Sequence, residues 1–137
     1  MQRPTRSWAF SREGRVLVSG PIDLGRLPVV VDGRGVEIRA TEAGDLTVAL
    51  VRLQEGHDAR PLFKGLPDDL CQCPHWGLII SGRVRVWTAD GFDDYQAGQA
   101  FYWSPGHAPE ALEDAEFLEI SPTEGVRALH AHVGGHE

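Results

Sequence analysis

Lysine is almost missing from this chain: Lys64 is the only one, and the remaining basic residues are arginines. The 13 cationic side chains face 20 acidic ones, leaving a net charge of −7. Sequence-independent binding to phosphates needs clustered Lys and Arg. No such cluster is present, so the composition argues against nucleic acid as a partner. No apolar stretch approaches the ~20 residues that cross a bilayer as a helix, and none gives the protein a membrane partner. The opening Met1-Gln2-Arg3-Pro4-Thr5-Arg6 is not followed by the apolar core of a secretory signal. A cytoplasmic location is the expectation. Cysteine is scarce too, with two residues in 137, both in Cys71-Gln72-Cys73. Two positions apart on a strand is poor spacing for an unstrained disulfide. In a reducing compartment that pair points to metal or redox chemistry rather than a staple.

What the chain does have is punctuation. Sixteen glycines and nine prolines cut it into short segments, which is how an all-β domain reads. The length suits one domain with a real core. Strands are expected at 15–18, 27–31, 36–41, 46–53, 75–80, 83–88, 92–96, 100–103 and 116–120. Asp90-Gly91 carries the signal of a tight hairpin. Strict alternation in Arg83-Val84-Arg85-Val86 predicts valines inward and arginines outward. Only residues 122–133 look helical, ending at Gly134-Gly135, and the internal Gly125 means packing must hold that helix.

The segment Cys71-Gln72-Cys73-Pro74-His75 concentrates the chemistry. If it is extended, alternation puts Cys71, Cys73 and His75 on one side. Thiolate sulfur and imidazole nitrogen are the donors of zinc, iron and copper sites. The blander reading makes both cysteines small buried hydrophobes and His75 a hydrogen-bonded core residue. Pro74 lacks an N–H, so the strand is expected to bulge or stand unpaired there, which re-aims side chains.

From about 48 to 122 the chain resembles the cupin superfamily of small jelly-roll barrels. Gly98-Gln99-Ala100-Phe101-Tyr102-Trp103-Ser104-Pro105-Gly106-His107 is similar to the second cupin motif, and Gly82 with its following strand and hairpin resembles the end of the first. The resemblance implies an all-β double-stranded β-helix with a short C-terminal helix, organised as a single domain over 1–137. Residues 1–25 would form an arm or edge strand, 48–122 the barrel, and 123–137 the helix and tail. It also implies a metal site of three histidines and a glutamate. Counting back from Gly82, the first-motif positions fall on Asp69, Cys71 and His75, and the second-motif histidine falls on Pro109, two residues from His107. The usual set is therefore replaced by residues that still coordinate. Cys71, Cys73, His75 and His107 are the expected metal ligands; thiolates favour zinc and iron over magnesium or calcium, and zinc is expected ahead of iron, although ligand types alone do not separate the two.

Other residues follow by position. His107 doubles as a general acid or base, and Glu110 is a second at the barrel mouth. Arg60 is placed to grip a substrate carboxylate. Trp76, Tyr102 and Trp103 are expected to wall the ligand pocket, with core filling as the alternative. His57 reads as a surface turn residue, and His130, His132 and His136 as a His-rich tail. The function so implied is a metal-dependent enzyme acting on a small polar or anionic metabolite. The alternatives are a metal-free cupin that binds a small molecule, or one with a purely structural zinc. The resemblance also implies a homodimer, with residues 27–31 contributing to the contact.

Overall fold

The computed structural model describes residues 19–135, so the strand expected at 15–18 lies outside the described residues. Nine strands follow one another: β1 (Val29–Gly33), β2 (Val36–Ala43), β3 (Leu46–Leu53), β4 (His75–Ser81), β5 (Arg83–Thr88), β6 (Gly91–Gln96), β7 (Ala100–Trp103), β8 (Ala108–Ala111) and β9 (Ala115–Pro122). Among the described residues the one α-helix, α1 (Thr123–Gly134), follows β9. Two sheets form, in the orders β1-β2-β3-β9-β4-β7 and β6-β5-β8, with every pairing antiparallel. The two sheets enclose a common core of Val, Ile, Leu, Ala and aromatic side chains. Two sheets packed face to face from short strands are a jelly-roll barrel. β8 was not expected from the sequence, because Pro109 breaks the strand pattern; it survives at the edge of the smaller sheet, where a missing N–H costs least.

Local chemistry sets several of these elements. In β5 Val84 and Val86 are buried while Arg83 and Arg85 are not, and Arg85 reaches across to Asp94 on β6 at 2.8 Å. Gly77 on β4 stands where a Cβ would collide with the Leu118 carbonyl and the Phe101 ring; only glycine lets β9 and β7 close on β4 there. Helix α1 buries Val126, Leu129 and Val133, spaced to share one face. Its start is tied to the β2–β3 turn by Thr123, whose hydroxyl lies 2.9 Å from that of Thr47 and whose N–H donates to the Asp45 carbonyl. Packing holds this short helix, as its length requires. Among the described residues no helix is long and apolar enough to cross a membrane.

Candidate metal centre

His75 opens β4 and pairs with Trp103, the last residue of β7. The chain leaves β7 through Ser104-Pro105-Gly106 and returns at His107, whose carbonyl accepts the Cys71 N–H at 2.9 Å. Backbone pairing thus sets Cys71 against His107, while sheet pairing sets His75 beside them. One donor atom from each of the three lies within 4.8 Å of the other two, and all three residues are buried.

The remaining atoms of each ring are already committed. His107 Nδ1 is 2.7 Å from the Ser104 carbonyl; as that oxygen can only accept, Nδ1 carries the proton and Nε2 a lone pair. His75 Nδ1 lies 2.6 Å from Ser121 Oγ and 3.4 Å from Glu119 Oε1, which leaves Nε2 toward Cys71 Sγ at 3.6 Å. Imidazoles that ligate metals are oriented in this way, with the second nitrogen held by a carbonyl, hydroxyl or carboxylate. A tetrahedral zinc with ordinary bond lengths separates sulfur from nitrogen by about 3.5 Å. The Cys71–His75 spacing meets that value, and sulfur with two imidazole nitrogens is a donor set that suits a transition metal.

Burial governs the charges. It pushes the Cys71 thiol far above its ordinary range and lowers His75 to about 2, with His107 and His130 nearby adding to the latter shift. His107 is lowered for the same reason, and fully buried Glu119 is raised to about 8. The protein alone therefore holds this cluster uncharged. A bound cation reverses that balance, because a coordinating thiol loses its proton.

The sequence matches no family model and no curated protein. Solved structures do match. KdgF from Halomonas sp. aligns with a TM-score of 0.57 at 19% identity, covering 77% of this chain and 94% of that one. A sugar phosphate isomerase of the cupin superfamily from Silicibacter pomeroyi aligns at 0.57 and 16% identity, covering 75% of each chain. An RmlC-like cupin from Shewanella frigidimarina aligns at 0.55 and 13%, covering 76% and 92%. The chain has the cupin fold. At these identities the likeness speaks for the fold alone.

Within the cupin barrel the expected residues divide into two groups. Cys71, His75 and His107 converge. Cys73 does not join them: the chain bends at Cys73, before the unpaired Pro74, and breaks the alternation that would have aligned it. Its sulfur faces the Pro74 and Pro122 carbonyls at 3.6 and 4.0 Å and sits against Gly125, where a Cβ would come within 3.1 Å. The glycine inside α1 thus makes room for this sulfur. Asp69 is exposed and accepts the Gly65 N–H.

Trp103 is buried and lines the barrel cavity. Trp76 and Tyr102 stand on the opposite face of the same sheet, their tilted rings 5.1 Å apart and 46% and 52% exposed. The strand period explains the difference, since neighbours along β7 point to opposite faces. Arg60 is engaged by Asp58 at 2.8 Å and lies 4.2 Å over the Trp87 ring. Glu110 accepts the Trp87 indole N–H at 2.9 Å and lies 4.0 Å from Arg60. Both belong to a cluster around Trp87 and are absent from the cavity wall.

The cavity measures about 50 Å³ and is lined by apolar residues together with His57, His75, His107, His130 and Glu119. Sequence reasoning passed over His57, His130, Glu119 and Ser121. Glu119 and Ser121 alternate with Phe117 on β9 and share its inward face, so a legible period-2 signal existed for them. His57 and His130 carried none, because a turn and a helix face reach the cavity only through tertiary packing.

Proposed function

We propose that this protein is a metal-dependent cupin enzyme acting on a small polar molecule inside the barrel, with Cys71, His75 and His107 as the metal ligands. The observation that carries this reading is the convergence of three buried donors whose other ring atoms are already held by Ser104, Ser121 and Glu119. The thiolate suits zinc or iron rather than magnesium or calcium, and zinc is the metal proposed. Three protein ligands in a four-coordinate zinc site leave one position for water or substrate, and a zinc so bound supplies a Lewis acid or an activated water. Enclosure among Trp103, Phe117 and Leu129 excludes bulk water from that position. His107 contributes as a ligand at the cavity wall. The protein acts in the cytoplasm.

Elemental analysis of the purified protein tests this. Wild type and Cys73→Ser are expected to hold stoichiometric metal, and Cys71→Ser to lose it. Equal metal content in all three variants, or no metal in wild type at matched folding, would sink the reading. Metal retained in wild type with a fourth protein ligand in its coordination shell would make the site structural.

A second copy of the chain is the proposed partner. Val48, Ile120, Trp76 and Tyr102 form one row across the outer face of β3, β9, β4 and β7, and Leu118, Leu78 and Ala100 form the next, whose β3 member, Leu50, is already buried within the chain. Antiparallel sheets with one wet face alternate apolar-in with polar-out, so two uncharged rows on the outside favour an apolar cover. The contact was expected at residues 27–31. There Leu27 and Val31 are buried, and Pro28, Val29 and Val30 are exposed.

A further inference from the structure

Residues lining the cavity carry three buried polar atoms that lack a hydrogen-bond partner and that the metal reading does not use: Nε1 of Trp103, an indole donor, and one imidazole nitrogen from each of two histidines. Nε2 of His57 and Nε2 of His130 are both buried and have no hydrogen-bond partner, and both residues line the cavity. They arrive from opposite directions. His57 belongs to the turn after β3 and lies against Gly35, where a Cβ would stand 3.1 Å from Nδ1. Its ring also hydrogen-bonds the Arg34 backbone. His130 follows buried Leu129 on α1. A buried imidazole nitrogen without a partner is costly, and proteins leave few of them. Two on one cavity wall call for a common partner.

The character of that partner follows from the wall. No Lys or Arg lines the cavity, and Arg60 is committed to Asp58. Burial lowers His57 and brings His130 to about 4, so both rings are neutral near pH 7 and offer hydrogen bonds without charge. A volume of about 50 Å³ is far below the 300 Å³ or more of pockets for drug-sized ligands. It suits a molecule of a few non-hydrogen atoms.

We propose that His57 and His130 form a polar anchor for an uncharged hydroxyl- or amide-bearing end of a compact ligand, whose other end faces Cys71, His75 and His107. The proposal rests on the metal-centre reading only for what that other end meets. His130 and Thr41 also border a separate cleft of about 180 Å³, and Thr41 Oγ1 likewise lacks a partner. His57 does not line that cleft. His57 is therefore the residue that isolates the barrel cavity.

Glycolamide and acetate are the probes, titrated calorimetrically into the full zinc-loaded chain. Acetate can be held by metal alone and has no hydroxyl or amide for the anchor, whereas the amide of glycolamide needs it. His57→Leu and His130→Leu are each expected to weaken glycolamide about tenfold, the scale of one lost buried hydrogen bond. Zinc content stays the same, and acetate changes by less than about twofold. Equal losses for both probes, no loss for glycolamide in His57→Leu, or no glycolamide binding by wild type would overturn the anchor. Long-range proton–nitrogen spectra of wild type supply a readout that needs no variant: glycolamide shifts the Nε2 resonances of His57 and His130. Should the chain take up no zinc, the metal-centre reading fails. The same spectra of the metal-free protein still decide the anchor, and unmoved resonances would reject it.

Discussion

Strands β4, β7 and β9 have two faces with opposite characters, and they are the reverse of what burial alone would select. Inside, among Phe117, Trp103 and Ile79, the chain has placed His75, Glu119 and Ser121, with Cys71 and His107 alongside. Outside, the same strands carry Trp76, Leu78, Ile80 and Tyr102, each at least 38% exposed. Among the described residues, exposed apolar side chains on the outer face and polar groups in the core both cost stability by themselves. The partners proposed above, a cation and a ligand within and a second copy of the chain without, would offset both costs. The interior polar groups are held by short hydrogen bonds, while the outer side chains make only apolar and ring contacts. The inner face is therefore built to hold atoms at fixed positions, and the outer face only to exclude water.

Truncations on the two faces should separate them most strongly. Trp103→Ala opens a cavity beside Phe101, Tyr95 and Phe117, whose rings pack on the indole. Urea denaturation is expected to show a loss of about 3–5 kcal/mol. Trp76→Ala, on the exposed face, is expected to cost about 1 kcal/mol or less in the monomer. Similar losses at both positions would dissolve the distinction.

The acid limb of stability gives the next effect. Burial depresses His130 from 6.5 to about 4. A histidine with a depressed folded pKa contributes stability above its unfolded value, and that stability is lost as pH falls from about 6.5 through about 4. The shift corresponds to about 3 kcal/mol. Replacing it with leucine should flatten the stability difference between neutral pH and pH about 4 by that order. An unchanged acid limb in His130→Leu would place the ring in water. Smallest in stability terms is Trp76→Ser with Tyr102→Ser, which removes the centre of the outer patch. Sedimentation equilibrium is expected to show weaker self-association with metal content intact. A wild-type chain that stays monomeric at all concentrations would refute the outer face as a contact between copies.

Most strands were legible because period 2 and turn residues are local. The spans 46–53, 83–88 and 100–103 agree with β3, β5 and β7 end to end. The candidate site was legible only in part. Cys71 and His75 could be paired by spacing, but the bend at Cys73 could not be read, because it depends on how the segment packs against Gly125 and Pro122. Trp76 and Tyr102 were assigned to a pocket by residue type, whereas face is decided by register, and their register partners place them outside.

Donor chemistry and strand periodicity are properties of short stretches, so the amino-acid order alone determined that this is a β-barrel with thiol and imidazole groups concentrated near residues 71–75 and at 107. Which of those groups meet, and that a turn histidine and a helix histidine face the same hollow, was decided by the tertiary structure. Convergence within 4.8 Å joins residues up to 36 positions apart, and only pairing between sheets and packing of α1 brings such separations to contact distance.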